Sequence, residues 1–312
     1  MKKTKTLHKN NPHNQEYNFD ELCASYPALK EYVLINKYNN ESIDFFNTKA
    51  VLALNKALLK HYYQIEHYDL PKQHLIPPIP GRADYIHYLA QYLMQNNNNV
   101  IPRGEKIKVL DIGTGANCIY PIIASSAYEW DIVASDSAQE SLDIAKNIVS
   151  TNASLKNKVE FRFQNKQSDV LKNIVSNDEY FMASICNPPF HKSQEDASAA
   201  SSRKIKNLKK DEYAKTVLNF SGTASELWCQ GGEVEFISKL ISQSTLYKKN
   251  FFCFSTLVSK KEHLSIFERK LKNLKAIDIK ILEMKQGQKI SRILVWSFLS
   301  KKEKQVWLEQ HL

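Results

Sequence analysis

The 312-residue sequence lacks several features that would each mark a class of protein. Its five cysteines are odd in number, lie far apart and form no CxxC pair, which argues against a zinc site or a disulfide framework and for free thiols in a reducing compartment. No apolar run is long enough to span a bilayer, and the lysine-rich start is not followed by the apolar stretch of a signal peptide. These absences predict a soluble, cytoplasmic protein that uses neither a metal nor a membrane.

Positive charge is in excess, because 43 Lys and Arg residues against 33 Asp and Glu give a net charge of +10 and a pI near 9.1. This balance favours a polyanionic partner, although a solvated lysine-rich surface is the alternative. Two basic stretches are predicted to bind phosphates, an amino-terminal arm and a polar loop within residues 191–232. Their candidate residues are Lys2, Lys3, Lys5 and Lys9 in the arm, and Arg203, Lys204, Lys206, Lys209 and Lys210 in the loop.

The chemistry of the chain centres on one tetrapeptide, Asn187-Pro188-Pro189-Phe190, which follows the apolar, strand-like run at 180–186. The two prolines end the strand because neither can donate a ladder hydrogen bond, and they stiffen the backbone there. The Asn187 side-chain oxygen and the Pro188 carbonyl can each accept one N–H of a planar amine, while Phe190 offers a stacking face. We therefore predict that Asn187, Pro188, Pro189 and Phe190 are catalytic. The alternative is a turn that only closes a buried strand.

A glycine turn upstream has the pattern of a nucleotide-cofactor site. A predicted strand runs through Asp111 into Gly113 and Gly115, whose lack of a side chain lets the backbone approach a ligand. An acidic residue just before the first glycine is typical of S-adenosylmethionine sites, and Cys118 stands where a dinucleotide fingerprint has its third glycine. Asp136 ends the next predicted strand, 23 residues beyond Gly113, a spacing that suits a carboxylate accepting both ribose hydroxyls. A helix cap is the alternative role for Asp136.

Strands alternate with helical segments in the second part of the chain, which predicts an α/β fold with a doubly wound parallel sheet and helices on both faces. We expect seven strands, the last two joined as a hairpin by a polar loop at 285–292. Ligands bind such sheets at the carboxyl ends of the strands. Gly113, Asp136 and Asn187, although far apart in sequence, should therefore meet at one edge.

The chain divides, in this prediction, into an amino-terminal module at 1–80 and a catalytic domain at 81–312. The module is basic and mainly helical, and we expect it to bind RNA. Its predicted parts are a flexible arm at 1–18, a helix at 42–63 and a rigid proline-rich connector that ends at Gly81.

Eight stretches of the sequence resemble the ribosomal RNA large subunit methyltransferase F family of bacteria, which methylates adenine N6 in 23S rRNA. They lie at 43–45, 75–87, 111–121, 186–191, 226–229, 231–233, 257–260 and 286–292. The resemblance implies a Rossmann-like class I methyltransferase fold and S-adenosylmethionine as methyl donor. It implies one adenine of 23S rRNA, position 1618 in the family, as acceptor. The partner is then 23S rRNA or a large-subunit assembly intermediate.

The resemblance also assigns site residues. It implies that Arg82 reaches the methionine carboxylate of the cofactor, which the position of Arg82 before a helix does not show alone. Asn187 and Phe190 match the acceptor pocket, and Asn117 stands where relatives often have serine. The predicted cofactor-binding set is Arg82, Asp111, Gly113, Gly115, Asn117, Asp136 and Asn187. The contact to the cofactor's adenine falls near Ser168 or Asp169 without being assigned to either.

Three other functions stay open from the sequence. The same motif can hold a side-chain amide, so glutamine-N5 methylation of a protein is one rival, although the basic charge argues against it. A non-catalytic RNA-binding or ribosome-assembly protein on the same fold is the second. Adenine methylation of DNA is the third, and nothing in the chain resembles a sequence-reading DNA-binding domain.

Overall fold

A seven-stranded sheet dominates the structure, a computed structural model that describes residues 7–189, 229–286 and 289–312. The strands are β1 (Val33–Ile35), β2 (Glu41–Ile43), β3 (Lys108–Ile112), β4 (Asp131–Asp136), β5 (Val159–Phe163), β6 (Phe181–Cys186), β7 (Phe251–Val258), β8 (Asp278–Gln286) and β9 (Lys289–Ser297). The large sheet has the order β5-β4-β3-β6-β7-β9-β8, and β1 and β2 form a separate antiparallel pair. The first five strands in this order, from β5 through β4, β3 and β6 to β7, run parallel to one another. Strand β9 is antiparallel to both of its neighbours, β7 and β8. The doubly wound sheet and its closing hairpin are as predicted.

Helices cover both faces of this sheet. They are α1 (Phe19–Ser25), α2 (Thr48–Tyr63), α3 (Ile79–Gln95), α4 (Ile119–Tyr128), α5 (Gln139–Ser150), α6 (Gly232–Ser244), α7 (Lys261–Asn273) and α8 (Lys301–His311). Successive strand residues point to opposite faces, so Val109 packs with α2 to α5 and α8, whereas Leu110 packs with α6 and α7. Both faces of the central strands are apolar because both are covered.

The amino-terminal arm is packed, not flexible, from residue 7 onwards, and the prediction for 1–18 was wrong there. Leu7, His8, Asn11 and His13 are buried. The His8 backbone N–H and the Asn11 amide both donate to the Asp84 carboxylate of α3, each at 2.8 Å. Polar composition predicted a solvated arm, but these polar groups are satisfied by partners more than 70 residues away.

Two predicted boundaries in the module also shift. The helix expected from residue 42 begins at Thr48, because the Asn47 side chain accepts from the backbone N–H groups of Lys49 and Ala50 and so caps it. Residues 41–43 instead pair with β1 as a hairpin. The proline-rich connector ends earlier than Gly81, since α3 starts at Ile79 with proline in its first turn, where proline needs no hydrogen-bond donor.

At the other end of the chain, most of the loop predicted at 285–292 is strand. Strand β8 continues to Gln286 and β9 starts at Lys289, and the two residues pair directly. Helix α8 was not predicted; its Ser300 cap accepts from the Glu303 N–H, and the Glu303 carboxylate accepts from the Ser300 N–H. All five cysteines are free, as predicted. Among the described helices, none combines the length and apolarity needed to cross a bilayer.

Candidate active site

A cavity of about 910 Å³ opens at the carboxyl ends of β3, β4 and β6. Most of the predicted site residues line it, namely Arg82, Gly113, Gly115, Asn117, Asp136, Asn187 and Pro189. Asp111 and Pro188 are buried and are chain neighbours of lining residues. Phe190 lies outside the described residues. The topology thus brings together residues from α3, the glycine turn and two strand ends, as the convergence argument predicts.

The glycine turn after β3 has the backbone conformation that glycine permits. Gly113 and Gly115 have φ values of 73° and 63°, which side chains other than glycine's rarely adopt. Cys118, at the position of the absent third glycine, also has a positive φ of 50°. A Cβ atom on Gly113 would meet no atom within 4 Å, so the glycine is required by its φ value and not by crowding.

Asp136 links the glycine turn to the start of α5. Its Oδ2 accepts from the backbone N–H of Gly115 at 2.8 Å, and its Oδ1 accepts from the N–H of Ala138 at 2.9 Å. Both hydrogen bonds fix the carboxylate at the mouth of β4, where it lines the cavity. The alternative role as a helix cap is wrong, because the N-cap of α5 is Ala138 and no side chain caps this helix. The two hydrogen bonds of Asp136 instead orient its carboxylate at the cavity lining.

Asp111 is a buried carboxyl group without a hydrogen-bonding partner among the residues that the structure describes. Burial raises the pKa of Asp111 to about 7. The Thr114 hydroxyl and the Arg82 guanidinium lower this pKa, whereas the nearby Asp136 carboxylate raises it. A buried carboxyl group next to the cavity is suited to the ammonium group of a ligand. A buried carboxylate is unfavourable when it is unpaired, and the positive charge of the ammonium offsets this cost.

Arg82 joins the candidate catalytic motif to the cofactor side of the cavity. Its Nη1 donates to Asn187 Oδ1 and to the Tyr120 hydroxyl, both at 3.0 Å, and the guanidinium lies 5.6 Å from the centre of the Tyr120 ring. Burial raises the pKa of Tyr120 to about 12, so the phenol stays neutral and can accept this bond. Within the described part of the chain, the remaining guanidinium nitrogens of Arg82 donate to no protein atom, so they can bind an anionic ligand group.

The far wall of the cavity was largely missed from the sequence. It is formed by the loop at 164–170, which includes Ser168 and Asp169, and by Cys229, Phe236 and Lys239. Gln243 of α6 supports this loop, because its Oε1 accepts from the backbone N–H groups of Val170, Leu171 and Lys172 at 2.9, 2.9 and 3.3 Å. No local pattern signals this role, since the partners are more than 70 residues apart.

The predicted phosphate-binding lysines are mostly outside the described residues. Lys9 is described and exposed, whereas Lys2, Lys3 and Lys5 lie outside, as do Arg203, Lys204, Lys206, Lys209 and Lys210. Among the residues that the structure does describe, no group of three or more His, Cys, Asp or Glu side chains could hold a metal ion.

The sheet order and the cavity at the carboxyl ends of its strands define a Rossmann-like class I methyltransferase fold, as predicted. Comparison with solved structures agrees. The catalytic domain of hMettl16 in complex with MAT2A 3′UTR hairpin 1 is 28% identical with a TM-score of 0.80, over 95% of this chain and 96% of that one. The N-terminal domain of human METTL16 in complex with SAH is 25% identical with a TM-score of 0.73, over 94% and 99%.

Curated relatives are more similar in sequence. Ribosomal RNA large subunit methyltransferase F of Flavobacterium johnsoniae is 47% identical over 96% of both chains. The protein of the same name from Bacteroides fragilis is 45% identical over 96% of this chain and 100% of its own. The RNA methyltransferase family matches residues 1–300. The chain therefore belongs to the RNA methyltransferase family and is a methyltransferase.

Proposed function

We propose that this protein transfers a methyl group from S-adenosylmethionine to the exocyclic N6 of one adenine in 23S rRNA. The observation that carries the proposal is the hydrogen bond from Arg82 to Asn187, which joins the Asn-Pro-Pro motif to the glycine-turn cavity. The names of the relatives, which specify large-subunit ribosomal RNA, support the substrate class. The adenine equivalent to position 1618 is the proposed acceptor.

The charges around the cavity fit S-adenosylmethionine. Its methionine end carries an ammonium and a carboxylate, for which the buried Asp111 carboxyl and the remaining Arg82 nitrogens are complementary. Asp136 stands at the end of β4, where a ribose diol needs an acceptor. Ser168 and Asp169 also line the cavity, and we propose that the adenine ring lies near them. When bound, the cofactor supplies an electrophilic methyl group on a sulfonium.

The acceptor amine is a poor nucleophile because its lone pair is delocalised into the purine ring. In our proposal the Asn187 side-chain oxygen and the Pro188 carbonyl each accept one of its N–H groups, which favours a tetrahedral nitrogen and directs the lone pair at the methyl group. An amide oxygen has two lone pairs, so Asn187 can accept from Arg82 and from the amine together. The guanidinium then stabilises the orientation of Asn187 during the transfer.

The adenine must leave its stack to enter this cavity, and we propose that Phe190 stacks on it. The basic residues of 1–10 and 203–210, and Lys9 among them, are proposed to bind the flanking phosphates. The departing proton needs no dedicated base, because a methylated aminium is acidic enough to lose it to water. Since the proposed substrate is ribosomal RNA, we also propose that the reaction takes place in the cytoplasm.

The direct test is methyl transfer from labelled S-adenosylmethionine to 23S rRNA of a strain deleted for this gene, followed by nucleoside analysis. We expect N6-methyladenosine at one site, and loss of acceptance after RNase digestion. Transfer to a pre-ribosomal particle but not to naked 23S rRNA would identify the assembly intermediate as substrate. Label that resists RNase and appears in a protein would overturn the proposal in favour of glutamine methylation.

A further inference from the structure

The backbone ladder between β6 and β7 stops before the candidate catalytic motif. The two strands pair at Phe181 with Phe251 and at Ala183 with Cys253, whereas β6 pairs with β3 as far as Cys186. The end of β6 therefore lacks backbone pairing with β7, although β7 still lies beside it. Its buried backbone groups need other partners, because an unpaired buried N–H is costly.

Buried side-chain hydroxyls replace the missing ladder. Ser255 Oγ on β7 donates to the Ser184 carbonyl at 2.5 Å, and the Ser255 N–H donates to Ser184 Oγ at 3.1 Å. Thr256 Oγ1 can donate its one proton to the Leu257 carbonyl at 3.3 Å or to the Cys186 carbonyl at 3.4 Å. Tyr85 completes the network, since its hydroxyl lies 2.9 Å from Ser255 Oγ and accepts the backbone N–H of Cys186 at 3.2 Å. The side chains of the network are all fully buried.

The network has one consistent direction. Because Ser255 Oγ donates to the Ser184 carbonyl, the Tyr85 hydroxyl must donate to Ser255 Oγ, and it is then free to accept from Cys186. Burial raises the pKa of Tyr85 well above its usual value, so the hydroxyl keeps its proton. The hydroxyls of Tyr85 and Ser255 therefore each donate once and accept once, which leaves these two groups a single arrangement.

Helix α3 thus holds two adjacent residues of the strand end. Arg82 and Tyr85 are three residues apart, so they lie on one face of the helix. Arg82 donates to the Asn187 side chain, and Tyr85 accepts from the Cys186 backbone directly before it. The first contact orients the side chain of Asn187, and the second fixes the backbone from which that side chain projects.

We propose that Tyr85 is a positioning residue for methyl transfer, whose hydroxyl sets the direction of Asn187 through the backbone of Cys186. This inference rests on the proposed function, because it needs Asn187 to orient the acceptor amine. Tyr85 lies beneath the strand end and acts only through it. The loss of its hydroxyl should therefore lower the rate of transfer at saturating cofactor without weakening cofactor binding.

The test compares Tyr85→Phe with Tyr128→Phe, using methylation of 23S rRNA by the full chain. Tyr128 is a matched control, because it is also buried and its hydroxyl bonds at 2.8 Å to His87 of the same helix, away from the motif. We expect Tyr85→Phe to lower kcat by about 10- to 100-fold while KM for S-adenosylmethionine stays within a few-fold. Tyr128→Phe should lower Tm to a similar extent and leave kcat within a few-fold.

Ser255→Ala serves as the second variant if Tyr85→Phe does not fold, because it leaves the phenol in place and removes the acceptor of its proton. It should lower kcat in the same direction. A kcat equal to that of Tyr128→Phe, or a loss explained entirely by a higher KM for the cofactor, overturns the inference. An inactive wild-type protein with intact cofactor binding would instead contradict the proposed function.

Discussion

Replacing Arg82 by methionine tests the proposed contact between its guanidinium and the carboxylate of the cofactor. The substitution keeps the length and apolar stem of the side chain and removes its charge. In the structure, Arg82 Nη1 donates to Asn187 and Tyr120, and the other guanidinium nitrogens are the ones proposed to bind the cofactor carboxylate. Methionine has no donor that could replace them. A hydrogen bond to a charged group contributes about 1.5–3 kcal/mol. The dissociation constant for S-adenosylhomocysteine should therefore rise by about 10- to 150-fold.

A second ligand makes this prediction specific. 5′-Methylthioadenosine has the adenosine and the sulfur but lacks the ammonium and carboxylate of the methionine chain. Calorimetric titration should show that Arg82→Met binds it as well as the wild type does, within a few-fold, while S-adenosylhomocysteine is weakened. Arg103→Met is the control, because Arg103 also stacks on a buried tyrosine, with its guanidinium 5.0 Å from the Tyr128 ring, outside the cavity. Equal weakening of both ligands by Arg82→Met would refute the carboxylate contact.

Three further predictions concern other carboxyl and amide groups. Asn187→Ala should lower kcat at least about 100-fold and leave the affinity for S-adenosylhomocysteine within a few-fold, because orientation of the amine is lost while the glycine turn is intact. Near-normal turnover of this variant would contradict the assignment. For Asp111, burial raises the folded pKa to about 7, above the usual value of 3.8, so the ligand-free protein should lose stability as the pH rises from about 4 to about 7. Over the same pH range its affinity for the cofactor's ammonium should increase, because the carboxyl group becomes ionised. Asp111→Asn should flatten both slopes in urea unfolding and calorimetry, and an unchanged slope would sink this account. For Glu179, two hydrogen bonds from Arg162 lower the pKa to about 2, so Glu179→Gln should lower the free energy of unfolding by about 1–3 kcal/mol at pH 7. This difference between variant and wild type should shrink as the pH falls from 4.5 towards 2, and a difference that is constant with pH would exclude the ion pair as its cause.

Local patterns predicted the elements that carry the chemistry. Strand β6 is a mostly apolar run followed closely by two prolines, and the turn at Gly113 is marked by glycines that its φ values require. Both features depend on residues close together in sequence. The convergence of Gly113, Asp136 and Asn187 on one cavity followed from the topology of parallel sheets alone.

The supports of the site could not be predicted in the same way. Tyr85, Gln243 and Asp84 look like ordinary helix residues, and each acts on a segment more than 70 residues away. Helix α8 has only three apolar residues among eleven, so its periodicity is weak, and its packing is decided by the buried Trp307 and Leu308. Tertiary contacts of this kind override local composition, which is also why the polar residues His8, Asn11 and His13 are packed.

The insertion of the last strand inside the sheet has a consequence for synthesis of the protein. Strand β7, with three phenylalanines and all eight residues buried, lies between β6 and β9. Its partner β9 is completed only at Ser297, 39 residues after β7 ends at Val258. At about 5–20 residues per second, a growing chain carries this aromatic edge uncovered for about 2–8 s. Translation speed over these 39 codons, and chaperone occupancy of the nascent chain, should therefore affect the yield of folded enzyme more than substitutions on its surface.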